Sequence, residues 1–360
     1  MQGDFPPLDQ KLKLRTDHWS EGVAAVAVQQ GLQAQSFERA AEAYTAAVGG
    51  GISGDSVRRL AEGYGAACEA ARVQEATIAS APAQRGEAPG TIRIKPIDPL
   101  TGAANLSSDG AMLHVRGEGW KEVKIVAISA VMVKPARERV DRTATSRRAH
   151  DPRVVLSRHS YQAGLWDAET FGRQQYAEGL RRGVEHCTPL SSVNDAAEWI
   201  ERTTRENFPH AVQVIDWSHV AERLGTVAGA VLGEGSVAAD AWIAKRMDRL
   251  WDGNPGAVIS ALKHLESKAS RIAKAQVRDN VVFFQNQQAR MRYDDYRAAG
   301  LPIGSGTVES AACTVVHARL KRAGPGWTRT NAQSMLAGLS ALHSGRFDRV
   351  GRQPATAQPN

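Results

Sequence analysis

Asn105-Leu106-Ser107-Ser108-Asp109-Gly110-Ala111-Met112-Leu113-His114-Val115 reads as a strand, and Glu118-Gly119-Trp120-Lys121-Glu122-Val123-Lys124 follows it. Ala111 to Val115 and Val123 to Val133 are apolar and β-branched, as adjacent strands are. A third strand is expected around Leu156 to Ala163. Beyond it the texture alternates. Asp167 to Gly183 has helical spacing, Thr188 to Val193 is a short apolar run, Asp195 to Asn207 reads as a helix, and Ala211 to Trp217 as a buried strand. Three strands followed by alternating helix and strand describe a mixed α/β sheet, with residues 101–219 as its first part.

Working outward, helical patterns dominate from Val220 to Tyr296. They break at Gly233-Glu234-Gly235 and at Asp252-Gly253-Asn254-Pro255-Gly256, and only Val281 to Phe284 competes as a strand. Residues 220–300 therefore read as an all-helical insertion, and 301–345 as the helices that return to the sheet. Residues 1–80 also read as helical. Ser36 is placed to cap a helix that Gly49-Gly50-Gly51 ends, and Ser53-Gly54-Asp55-Ser56-Val57-Arg58-Arg59-Leu60 opens another. Helix, Gly-rich turn and helix with Arg58 and Arg59 near the second start have the form of a helix-turn-helix DNA-binding region, although a plain helical hairpin has the same pattern. Residues 81–100 have the composition of a linker, and 346–360 that of a disordered tail.

At 360 residues the chain can build two or three domains with a buried core. No window approaches the ~18 consecutive apolar residues of a membrane span. The N-terminus lacks the charged-then-apolar pattern of a secretory signal. Cys68, Cys187 and Cys313 are sparse and widely spaced, which points to a reducing cytoplasm and to buried free thiols. The net charge of +7, from 45 Lys and Arg against 38 Asp and Glu, favours a polyanionic partner. Basic residues crowd two stretches, Arg137 to Arg158 and Lys263 to Arg278.

Two separated stretches, Ser108-Asp109-Gly110 and Gly304-Ser305-Gly306-Thr307-Val308-Glu309, each carry one acid. A fold that brings such acids together can hold two Mg²⁺ ions about 3.5–4 Å apart, enough to cut a phosphodiester. Read alone, Asp109-Gly110 also fits a turn, and Glu309 fits an exposed first-turn glutamate favoured by the helix dipole. Ser305 or Thr307 can cap the helix that Glu309 begins. For the second carboxylate, Asp195 is the first choice, because it follows an apolar run and precedes a helix. Asp216 is the competitor, ending Val212-Gln213-Val214-Ile215 and leading into Trp217-Ser218-His219. His219 suits orienting a neighbour or contacting DNA better than binding metal. Arg319, Lys321 and Arg322 follow Glu309 on its helix and suit phosphate contact. Trp327 suits either stacking on a splayed base or core packing.

The run Asp109-Gly110 with Trp120-Lys121-Glu122-Val123-Lys124, the segment Phe208 to His219, and the segment Ile303 to Trp327 resemble bacterial insertion-sequence DDE transposases of the Mutator-like, ISKra-type group. The likeness runs from Phe5-Pro6-Pro7-Leu8-Asp9 to about Leu342. It implies a ribonuclease H-like fold in which Asp109, Asp195 and Glu309 hold Mg²⁺ or Mn²⁺. It implies binding of element ends, DNA cleavage and strand transfer by a homo-oligomer on paired ends, in the cytoplasm at the nucleoid. Asp216, two residues, His219 resembles the group's Cys-or-Asp, two residues, His signature. One departure stands out: similar transposases tend to carry Gly-Asp-Gly where this chain has Asn194-Asp195-Ala196, while Trp199-Ile200 is kept. The group's members often begin further upstream, so an N-terminal DNA-contacting piece is expected to be missing. The rival expectations are a transposase-derived DNA-binding protein without activity, and a structure-selective nuclease of the same fold.

Overall fold

The computed structural model describes residues 19–84, 94–135, 152–322 and 326–347, with the backbone alone for 81–84. Three helices come first: α1 (Glu21–Gln33), α2 (Phe37–Val48) and α3 (Gly54–Gln84). Ser36 caps α2 by accepting from Arg39 N, and Gly49 ends it in the left-handed conformation, φ 76°. The sheet strands are β1 (Ala104–Val115), β2 (Gly119–Lys134), β3 (Arg153–Gly164), β4 (Leu190–Asn194) and β5 (Val212–Ile215), with α4 (Ala168–Arg182) and α5 (Glu198–Asn207) between the later ones. Asp167 caps α4 and Gly183 ends it. The helical stretch comprises α6 (Trp217–Leu232), α7 (Val237–Trp251), α8 (Pro255–Lys268), α9 (Arg271–Gln287) and α10 (Tyr293–Ala298). Then α11 (Gly306–Ala311) runs on through a π-helical stretch, Ala312–His317, to a last turn at Ala318–Leu320, and α12 (Arg329–His343) closes the fold.

The sheet is mixed, in the order β3-β2-β1-β4-β5. β1, β2 and β3 are antiparallel neighbours; β4 lies parallel to β1, and β5 parallel to β4. The expected α/β mixed sheet is therefore present. β2 is buried continuously from Val123 to Val131 because helices cover both of its faces. Val123, Ile125 and Ala127 face a core shared with α1, α11 and α12, while Val126, Ile128 and Ala130 face Phe171 of α4. Each valine or isoleucine among them contributes about 1.5–3 kcal/mol by leaving water.

Several boundaries differ from the sequence reading. Val281 to Phe284 lies inside α9, where Val281 and Phe284 face the helical core with Leu224 and Leu262. The helix expected from Asp195 starts at Glu198. The proposed 1–80 domain does not stand apart: Ala24, Val28, Leu32, Tyr44 and Leu60 share one apolar cluster with Leu113, Ile125 and Met335. At the crossing of α3 and α12, a Cβ on Gly65 would collide with the Ser334 carbonyl, so glycine permits that approach. Of the 81–100 linker, residues 81–84 continue α3, and Ile97 and Leu100 donate backbone hydrogen bonds to the end of α4; residues 85–93 lie outside the described residues. Of the tail expected from 346, Arg346 pairs with buried Glu178 and Phe347 packs on Tyr64; 348–360 lie outside the described residues. So do 1–18 and most of the Arg137 to Arg158 cluster. Cys68, Cys187 and Cys313 are free, but Cys313 is exposed rather than buried. Among the described residues no helix is long and apolar enough to cross a membrane.

Candidate active site

Strand register explains how the acids meet. β1 pairs with β4 so that Ala104 faces Leu190 and Leu106 faces Ser192. The same offset along the chain carries Asp109 to Asp195. β4 pairs with β5 so that Asn194 faces Ile215, which puts Asp195 level with Asp216. Three aspartates thus fall in one row, at or just past the carboxyl ends of β4 and β5, which is where open α/β sheets place their ligands. Glu309 joins them from α11, and Asp109, Asp195, Asp216, His219, Glu222 and Glu309 all line one cleft of about 440 Å³. The cleft therefore holds both candidates for the second acid.

Their surroundings separate those candidates. Asp216 is buried, 2% exposed. It caps α6: Oδ1 accepts from His219 N at 2.8 Å and from the Ser218 hydroxyl. Its Oδ2 accepts from Ser305 N at 2.5 Å, fixing the loop that leads to Glu309. Trp217 N donates to Ile303 O at 2.9 Å beside it. Asp195 is half-buried and, among the described residues, accepts one hydrogen bond, from Ala197 N at 2.9 Å. Asp216 is committed to structure, whereas Asp195 keeps oxygen lone pairs for the cleft.

The departure at Asn194-Asp195-Ala196 takes a definite form. Asn194 is fully buried; its Oδ1 accepts from Ser108 N at 2.6 Å and its Nδ2 donates to Ser192 Oγ at 2.7 Å. The amide ties β4 to β1 next to both acids. Ala196 has φ 73°, the left-handed region where a Cβ costs about 1–2 kcal/mol. Ala196→Gly is expected to raise stability by about 0.5–1 kcal/mol, the strain relief exceeding the added freedom of the unfolded chain. An unchanged or lower urea midpoint would show that the turn carries no such strain.

Burial, followed by the charges of Asp195, Glu309 and Glu122, pushes the Asp109 carboxyl up to about 6 from an ordinary 3.8, against the lowering effect of Gly110 N donating to it at 2.7 Å. A folded-state pKa above the unfolded one favours the folded state fully below about 3.8, and that contribution is lost as pH rises through about 6. In metal-free protein the thermal midpoint should therefore carry a downward component over this window that Asp109→Asn removes. Superimposable pH profiles of the two proteins would refute this.

Glu122 is an acid the sequence reading missed. It stands opposite Met112 in the β1–β2 hairpin, and Gly110 leaves room for its carboxylate. Pairing the strands across Arg116 to Glu118 would have found it. Glu122 is ion-paired with Lys124, whose ammonium lies 4.0 Å from the centre of the Trp199 ring, so the 120–124 segment meets the retained Trp199-Ile200 pair here. Glu309 is exposed, with the Ser305 hydroxyl 3.4 Å from Oε1. Ser305 occupies the cap position of α11 without a side-chain cap, contrary to its expected role. The π-helical stretch beginning three residues after Glu309 is a local irregularity of a kind common at functional sites.

His219 Nε2 accepts from Arg223 Nε at 3.0 Å. Arginine only donates, so in the neutral ring the proton sits on Nδ1, which lies 4.0 Å from Glu222 Oε2. The ring is thus oriented by its neighbours, and Nε2 has no lone pair left for a metal.

The other predicted residues divide. Lys321 and Arg322 are exposed. Arg319 is buried, 6% exposed; its Nε donates to Gly31 O at 3.1 Å, and its guanidinium lies over the rings of Phe37 and Trp327. Arg319 therefore fastens the end of the Glu309 helix to α1 and α2 rather than presenting itself to phosphate. Trp327 bridges to Val115 and meets Phe37 edge-on at 6.0 Å, which is the core-packing alternative. Arg58 pairs with Asp55 at 2.5 Å and Glu62 at 2.9 Å, and Arg59 with Asp55 at 3.0 Å, all at partly exposed positions.

Among the described residues no three His, Cys, Asp or Glu side chains already form a closed metal-binding group. The donor set nevertheless fits a hard dication: carboxylate oxygens are what Mg²⁺ takes, and Asp109 is raised first by burial and then by the charges of Asp195, Glu309 and Glu122, all of which a bound cation would offset. No family model matches the chain, and neither does any curated protein.

Proposed function

We propose that this chain is a DDE-type transposase with a ribonuclease H-like core, binding DNA ends and catalysing their metal-dependent cleavage and strand transfer. The observation that carries the reading is the meeting of Asp109, Asp195 and Glu309 in one cleft, from mid-strand, from a strand end and from a helix. Three antiparallel strands followed by two parallel ones, and a helical insertion before the last acid, support the fold assignment. In this reading Asp109, Asp195 and Glu309 hold Mg²⁺ or Mn²⁺, which when bound supplies an activated water and neutralises charge at the phosphate. Asp216 orients the Glu309 loop, Asn194 ties the strands of the first two acids, and Arg223 orients His219. Fixed geometry matters because positioning and charge neutralisation, not a covalent intermediate, drive this chemistry. Paired-end assembly as a homo-oligomer and nucleoid association belong to the same proposal.

A catalytically silent DNA-binding descendant is the second reading, and the left-handed Ala196 beside Asp195 is the feature that favours it. The two are separated by incubating the protein with DNA carrying the flanking terminal repeats, in Mg²⁺ and in Mn²⁺. Nicking at the ends and joining to target DNA are expected. Binding without either reaction selects the silent reading, and cleavage of branched DNA without joining selects a structure-selective nuclease.

A further inference from the structure

Arg223 lies one turn beyond His219 on α6, and three groups fix its guanidinium. Its Nε donates to His219 Nε2 at 3.0 Å, its plane lies 3.8 Å from the centre of the Phe283 ring, and Nη1 is 3.5 Å from Asn280 Oδ1. Phe283 and Asn280 both belong to α9, and the Phe283 ring also meets His219 edge-on at 6.4 Å. Among the described residues no carboxylate lies within ion-pair distance of Arg223. Arg290 makes the contrast: it too feels the charge of Asp195, but it is paired with Glu201 at 2.9 Å.

An acid-lined cleft repels a phosphodiester, so a substrate of that class needs fixed positive charge at its wall. A guanidinium held over a ring, with its Nε occupied and Nη1 only weakly engaged, keeps N–H donors that phosphate oxygens accept. We infer that Arg223 is a DNA phosphate-binding residue beside the acid cleft, next to its lining residue His219, and that α9 of the helical insertion positions it there through Phe283 and Asn280. The inference rests on the proposed function only in taking DNA as the partner. The helical insertion thereby acquires a role, because α9 supplies the surface on which a residue beside the cleft is held. Asp195 and Glu222 are the acids whose fields reach Arg223, consistent with a place beside the cleft.

The test is equilibrium binding of a mixed-sequence DNA duplex over a range of KCl concentrations, by fluorescence anisotropy. Such a probe suffices because phosphate contacts carry no sequence information. Arg223→Gln is expected to lose roughly tenfold in affinity and to give a salt dependence shallower by about one unit of slope. Arg223→Lys should restore the slope but not the full affinity, having charge without the fork. Phe283→Leu keeps the charge but frees the guanidinium, so affinity should fall with the slope unchanged. Thermal melts establish that each variant is folded. Wild-type affinity and slope in Arg223→Gln would overturn the phosphate role, and wild-type affinity in Phe283→Leu would overturn the positioning by α9. Should Arg223→Gln fail to fold, the lysine variant decides: binding equal to wild type would show the fork to be unused. A wild-type chain that binds no duplex would overturn the functional reading as well, which separates the two failures.

Discussion

Asp195→Ala is expected to give a folded protein that still binds DNA ends but neither nicks nor joins them. Asp195 accepts one hydrogen bond, from Ala197 N, and among the described residues its second oxygen accepts none. Removing the side chain costs about 0.5–1.5 kcal/mol in that bond and relieves repulsion with Asp109, so the urea midpoint should move little. The chemical step should suffer far more. A metal ion contributes several kcal/mol of transition-state charge stabilisation, and at about 1.4 kcal/mol per tenfold the loss is roughly three orders of magnitude. The measurement is a nicking and strand-transfer time course in Mg²⁺ beside a denaturation curve. Retained cleavage would remove Asp195 from the metal-binding set and return Asp216 to it.

Asp216→Ala should do the reverse and damage the fold first. The carboxylate is the cap of α6 and the acceptor for Ser305 N in a buried setting. Losing a cap costs about 0.5–2 kcal/mol, and a stranded buried N–H about 1–3 kcal/mol. A loss of about 2–4 kcal/mol is therefore expected, visible as an earlier urea midpoint. Asp216→Asn, which keeps an acceptor, should lose less. If the alanine variant is as stable as wild type while cleavage vanishes, the assignment of Asp195 and Asp216 must be exchanged.

The sheet was legible because its signals are local. The apolar run of β2, the alternation in β1 and the cap and stop residues Asp167 and Gly183 all act within a few positions. The acids were less local: read alone, Asp109-Gly110 also fits a turn and Glu309 an exposed first-turn glutamate, and it was the resemblance that singled them out. What the sequence could not separate was Asp195 from Asp216. Both end strands, and it is the position of Ser305, 89 residues beyond Asp216, that adds a buried long-range hydrogen bond to one of them. Arg319 misled because its neighbours Lys321 and Arg322 are exposed; its burial depends on Phe37 and Gly31, far away in the chain. Exposed Trp120 and half-buried Trp327 look alike as sequence, and only packing distinguishes them. The Gly-rich turn after α2 was read correctly as a turn, but nothing local announces that α3 packs on α12 instead of forming a separate module.

The clasp of Arg319 between Phe37 and Trp327 makes the first helices impossible to shed. A shortened version starting at β1 would leave that guanidinium without its carbonyl acceptor and one of its two rings, and would bare the apolar side of Leu113, Ile125 and Met335 to water. Searches for a minimal folded fragment should therefore trim elsewhere. In evolutionary terms, the front of this polypeptide and the helix bearing its last acid can only be inherited together.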